Sequence, residues 1–145
     1  MDCFVGECPI HLAARSGHKD TIEMLLDHGA EINKKNANNQ TPLFLSAANE
    51  TENMIKNETM NSENLEVVQM LIERGADLDA WDIDGFTPIM IAAGKGHKYV
   101  VQYLVEKGAK LDIKDKDDHS LFHICAKHGQ VMLDSDWLTQ NNTQS

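Results

Sequence analysis

The sequence predicts an all-α fold, a solenoid of helix-turn-helix repeats joined by hairpin-like turns, on three observations. A seven-residue block occurs four times, a Gly-Ala element occurs three times, and both recur every 33 residues apart from one shared interval of 46. Self-similarity at a period of roughly 20 to 50 residues marks architectures in which each unit buries its apolar face against its neighbours.

The block opens as Cys8-Pro9-Ile10-His11-Leu12-Ala13-Ala14 and returns as Thr41-Pro42-Leu43-Phe44-Leu45-Ser46-Ala47, Thr87-Pro88-Ile89-Met90-Ile91-Ala92-Ala93 and Ser120-Leu121-Phe122-His123-Ile124-Cys125-Ala126. Thr41, Thr87 and Ser120 are N-cap residue types, and Pro9, Pro42 and Pro88 suit a first helical position, so each copy predicts an inner helix. The small pairs that follow allow neighbouring inner helices to approach, whereas bulk there would push repeats apart. The runs Thr21–Leu26, Val67–Ile72 and Val100–Val105 have helical periodicity and predict a second, outer helix in each repeat. Gly29, Gly75 and Gly108 then end those helices in a left-handed conformation. Between repeats, Asp82-Ile83-Asp84-Gly85 reads as a hairpin-like turn, and Asn39 and Asp118 stand where Gly6 and Gly85 stand in the other copies, as residues tolerant of positive φ.

The Thr-Pro-Leu-His-like opening, the Ala pair, Gly-His, the apolar run and Gly-Ala together resemble the ankyrin repeat family over nearly the whole chain. On that resemblance the repeats cover about residues 3–35, 36–81, 82–114 and, in part, 115–138, with a polar tail at 139–145. Gly108 to Cys125, with Leu111-Asp112-Ile113-Lys114-Asp115 and Leu121-Phe122-His123-Ile124, is also similar to the cytosolic ankyrin array of ankyrin-type transient receptor potential cation channels. The family resemblance implies a hydrogen-bonding role for His11 and His123 in linking turns.

Two regions depart from the period. The 46-residue interval places a 13-residue insertion in repeat two, near residues 49–62, rich in Asn, Glu and Thr. In repeat four, Asp134 falls where Ile22, Val68 and Val101 stand, and an unpaired carboxylate there would be costly. Neither end carries an obviously polar capping repeat, so the sequence reads as an excerpt of a longer protein.

Thirteen Lys and Arg against 23 Asp and Glu give a net charge of -10, which argues against nucleic acid or an anionic membrane as partner. Cys3, Cys8 and Cys125 lack paired spacing, which argues against a disulfide framework and for a reducing, cytoplasmic or otherwise intracellular setting. No stretch reaches the roughly 20 apolar residues that span a bilayer, and no signal peptide opens the sequence.

His123, Cys125 and His128 form the best metal-like cluster, but Cys125 fills a small slot of the repeat and a fourth ligand is not evident. No nucleophile beside an oriented base and no Gly-rich phosphate loop stands out, so we expect no enzyme activity, no cofactor and no metal. The informative positions are those the repeat leaves free. By resemblance to ankyrin proteins, the partner-binding residues are Lys35, Ala37, Gln40, Trp81, Ile83, Asp84, Phe86, Lys114, Lys116 and His119 at the turns, with Lys95 and Lys127 on the inner helices. Trp81, Ile83 and Phe86 are unusual because a turn tip seldom gains from three large apolar side chains, whereas an interface does; packing against adjacent tips is the alternative, weighed equally with contact for Phe86 and below it for Trp81. The expected function is binding of a protein or peptide through the turn tips and the concave inner-helix face. Two alternatives are a structural segment of the ankyrin array of a larger membrane protein such as a cation channel, where the faces meet adjacent repeats, and regulatory repeats of an enzyme whose catalytic domain lies elsewhere.

Overall fold

The protein is described here by a computed structural model covering residues 6–48 and 62–127, with side chains described except at 62–64. Among the described residues the helices are α1 (Pro9–Ser16), α2 (Lys19–Asp27), α3 (Pro42–Ala47), α4 (Ser62–Glu73), α5 (Pro88–Gly94), α6 (Lys98–Glu106) and α7 (Leu121–Lys127). The expectations for most of the insertion, for Asp134 and His128, and for the tail at 139–145 fall outside these residues.

The helices pack as two rows. α1, α3, α5 and α7 stack in sequence as the inner row, and α2, α4 and α6 form the outer row, each packed on its own inner partner. Helices this short do not persist alone, so lateral burial holds them. Ile10, Leu43, Ile89 and Leu121, one from each copy of the block, are at most 1% exposed, and Ile22, Val68 and Val101 lock the outer row with no exposure at all. Ala14, Ala47 and Ala93 are fully buried where adjacent inner helices meet. The fourth small pair differs: Cys125 is half-buried and Ala126 exposed, because no further inner helix covers α7 among the described residues.

The helix entries follow the expected chemistry at Thr41 and depart from it at Thr87. Thr41 Oγ1 accepts from the Phe44 amide at 3.2 Å, as an N-cap should. Thr87 Oγ1 makes no cap bond and is buried without a partner, and that entry rests on Pro88 at the first helical position. His11, fully buried, accepts from the Cys8 amide at Nδ1 (2.9 Å), so its Nε2 carries the proton and donates to the Lys34 carbonyl at 2.8 Å. It thereby ties α1 to the segment leading into repeat two. His123 does not link turns in this way. It is exposed, and its Nδ1 meets only the Ser120 amide and hydroxyl, since no turn follows α7 among the described residues.

Two further corrections concern the ends of the pattern. Ser62 belongs to α4, which has 12 residues where α2 and α6 have 9, so the outer helix of repeat two extends into the inserted sequence. Cys8 is disulfide-bonded, whereas Cys125 is free. An odd cysteine count excludes a fully paired framework but leaves room for one bridge. No described helix is long and apolar enough to cross a membrane.

Adjacent turns are joined through their backbones: the Ala37 amide donates to the Gly6 carbonyl, Ile83 to Asn38 and Lys116 to Asp84, at 2.8 to 3.1 Å. Asn39 and Asp118 take positive φ (63° and 66°), as does Gly85 (82°), so the expected equivalence of these positions holds. A Cβ on Gly85 would lie 2.8 Å from the Lys116 nitrogen, whereas one on Gly75, also at positive φ, would meet nothing within 4 Å. Gly75→Ala therefore carries only the left-handed penalty of about 1–2 kcal/mol. Gly85→Ala carries that penalty plus displacement of the junction to the next turn. Urea denaturation is expected to rank Gly85→Ala as clearly the less stable, and equal losses would refute the close-approach explanation.

Candidate functional site

The turns that carry the predicted binding residues are built on one repeated side chain. Asn36, Asp82 and Asp115 are each less than a tenth exposed. The Oδ1 of Asn36 accepts from the amides of Asn38 and Gln40, that of Asp82 from Asp84 and Phe86, and that of Asp115 from Asp117 and His119, all at 2.8 to 2.9 Å. In each turn the backbone closes the same loop: the amides of Asn36, Asp82 and Asp115 donate to the carbonyls of Gln40, Phe86 and His119. These three residues were not among the expected site residues. Their signal in the sequence was their position, since they share the 46- and 33-residue spacings of the Gly-Ala element.

Burial raises the Asp82 carboxyl pKa from its ordinary value, because desolvation, helped by the neighbouring Asp84 charge, outweighs the backbone amides that favour the charged form. At the equivalent position Asn36 supplies the same acceptor without a charge, and its Nδ2 donates to Gln40 Oε1 at 2.9 Å. The amide orientation follows from that network. Gln40 is thus engaged within its own turn.

The repeat period places the predicted residues in rows along the tips. Lys35, Trp81 and Lys114 occupy one row, Ala37, Ile83 and Lys116 a second, and Gln40, Phe86 and His119 a third. In the first two rows every member is exposed, Trp81 by 56% and Ile83 by 57%. Asp84 is exposed beside them, and Lys114 lies 3.8 Å from Asp118 in a solvent-screened pair. The third row faces the inner helices: Phe86 is half-buried against the core and serves packing as well as surface.

Phe86 and His119 also border a concave cleft of about 470 Å³ between α5 and α7, with Ile91, Gly94, Ile124 and Lys127 among its other walls. His119 is held by Asp115, whose Oδ2 lies 3.5 Å from its Nδ1, and its ring stands 5.9 Å from that of His123. The structure therefore brings Phe86, His119 and Lys127 together and leaves Trp81 and Ile83 on the tips. Lys95 is exposed at the end of α5. Among the described residues, no group of three His, Cys, Asp or Glu side chains is arranged to hold a metal ion. Burial raises the Cys125 thiol, which keeps it in its unreactive protonated form.

Stacked helix pairs, repeated turns held by a buried Asn or Asp, and a histidine tying one helix to the next turn are accompanied by direct sequence similarity. A family model described as ankyrin repeats (3 copies) matches residues 58–134, and one described as ankyrin repeats (many copies) matches residues 10–56. The chain belongs to the ankyrin repeat family. Its matches to individual ankyrin proteins are local. It is 49% identical over 41 residues to the ARF GTPase-activating protein Git of Drosophila melanogaster, covering 28% of this chain and 6% of that protein. It is 51% identical over 39 residues to the transient receptor potential cation channel subfamily A member 1 homolog of Caenorhabditis elegans, covering 27% and 3%. It is 38% identical over 45 residues to Rabankyrin-5 of Mus musculus, covering 31% and 4%. Each match thus spans a small part of a much longer protein.

The Asp82 carboxyl allows a test of the ankyrin turn. Its native pKa is raised relative to the unfolded chain, so its contribution to stability is full below the unfolded value and is lost as pH rises through the native value. The window opens near the ordinary carboxylate value, about 4, and extends upward. Asp82→Asn keeps the acceptor and removes the charge. Its melting temperature at pH 7 is expected to equal or exceed that of the parent, and the parent's loss of stability across this window is expected to flatten. Asp82→Ala removes the acceptor for two amides and is expected to cost about 2–3 kcal/mol at the same pH.

Proposed function

We propose that this chain is a non-catalytic protein-interaction module that works inside the cell and holds a protein or peptide through its turn tips and concave inner-helix face. The observation that carries the reading is the exposure of Trp81 and Ile83. Both are more than half exposed on tips whose backbone is already satisfied by the Asp82 turn and the junction to Asn38. Large apolar side chains held in fixed positions at little further entropic cost are what anchors an interface. Lys35, Ala37, Lys114 and Lys116 flank them in the same rows, Gln40, Asp84, Phe86 and His119 continue the surface inward, and Lys95 and Lys127 stand on the inner helices. A net charge of -10 disfavours nucleic acid as the partner.

A second reading is favoured by the 51% identity over 39 residues to the transient receptor potential channel homolog. In it the chain is a structural part of the cytosolic ankyrin array of a larger membrane protein, and its faces meet adjacent repeats. A third places the repeats beside the catalytic domain of an enzyme, as regulatory elements.

Trp81→Ala separates the first two readings. For an interaction module, a pull-down followed by calorimetry with the recovered partner is expected to show a loss of about 30-fold in affinity, the size of a hot-spot truncation, with the melting temperature unchanged because the side chain is exposed. For a packed array segment the substitution lowers the stability of the longer protein instead. Unchanged affinity for every recovered partner would remove Trp81 from the surface.

A further inference from the structure

We infer that the cleft between α5 and α7 is a specificity pocket for an extended acidic-apolar peptide, taking one large apolar side chain over Gly94 and the carboxylate of a neighbouring Asp or Glu at Lys127. This deepens the reading of the chain as an interaction module and rests on it.

The cleft has a local cause in the sequence. The inner-helix position held by Gly94 carries Arg15, Ala48 and Lys127 in the other repeats. Gly94 does not have positive φ, so its backbone does not demand glycine, and it lines the cleft between α5 and α7 with no side chain of its own. The walls formed by Phe86, Ile91 and Ile124 are apolar, and all three belong to or pack against the core, so the pocket is preformed. About 470 Å³ exceeds what a single water cluster requires and suits one side chain with its flanking backbone.

The polar groups on its border select the neighbour of that side chain. Asp115, the carboxylate that lines the cleft, is committed to the amides of Asp117 and His119 and to the His119 ring. Lys127 makes no ion pair among the described residues and is exposed. His123 accepts from Ser120 at Nδ1, so its Nε2–H is a donor, as the same group of His11 is to the Lys34 carbonyl. The cleft thus offers a cation and a ring N–H donor beside an apolar floor. Peptide carboxylate and carbonyl oxygens meet these two groups, and a basic peptide meets Lys127 with like charge. A partner that crosses from the tips into this face gains selectivity from the pocket, while Trp81 and Ile83 lie outside it.

Selection of a random-peptide library on the folded chain tests the pocket. Enriched peptides are expected to pair a large apolar residue with Asp or Glu within two positions. With the most enriched peptide as probe, Gly94→Leu is expected to weaken binding at least about tenfold with the melting temperature unchanged or raised, since a side chain already stands at this position in three repeats. Lys127→Glu is expected to weaken it by a similar factor, with rescue by Lys127→Arg. Peptides lacking an acidic residue, or bound equally by Gly94→Leu, would overturn the pocket. If affinity falls with Trp81→Ala and not with Gly94→Leu, the interaction module stands and the pocket does not. If no peptide is enriched, the pocket is rejected, while the partner pull-down still decides the module.

Discussion

The side-chain oxygens of Asn36, Asp82 and Asp115, each taking two amides of its own turn, impose the constraint on which the rest of the structure depends. Without that acceptor the loops between outer and inner helices would bury unpaired amides, at about 1–3 kcal/mol each. With it, every turn has one shape. A fixed turn sets where the next inner helix starts, and the repeated start allows Ile10, Leu43, Ile89 and Leu121 to fall into one continuous row. The junctions from Ile83 to Asn38 and from Lys116 to Asp84 then carry this order from tip to tip.

The three turns reach the same geometry with different electrostatics. Asn36 does so with a neutral amide, and Asp82 with a carboxylate whose burial raises its pKa despite two amide donors. Acceptor geometry is therefore the requirement, and charge is secondary to it. The consequence for the surface is order: Trp81, next to Asp82, and Ile83, within the turn, are presented on a backbone that has no freedom left to lose when a partner arrives.

Equivalent positions have unequal surroundings, and this makes the concave face specific. His11 spends both ring nitrogens inside the framework, whereas His123, its counterpart in repeat four, is exposed and borders the cleft. Phe44 and Met90 hold the same position as buried apolar side chains. Gly94 withdraws the side chain that Arg15, Ala48 and Lys127 carry, and the gap lies beside Phe86, which is anchored in the core. A solenoid with one framework acquires a local pocket through such single-position changes.

The sequence by itself determined the repeat, its family, the order of inner and outer helices, the small residues where inner helices meet and the positive φ of Asn39 and Asp118. These follow from spacing along the chain and from local backbone sterics, which need no partner to be expressed. Other features depend on what lies across a repeat boundary. Asn36, Asp82 and Asp115 were visible as a period but not as the holders of the turns, and Phe86 was readable as apolar but not as both core and cleft wall. Thr87, Cys125 and His123 matched their counterparts in type and differed in environment. Only the tertiary structure decided these, because burial, hydrogen-bond partners and the cleft at Gly94 are set by side chains that the fold brings together from different repeats.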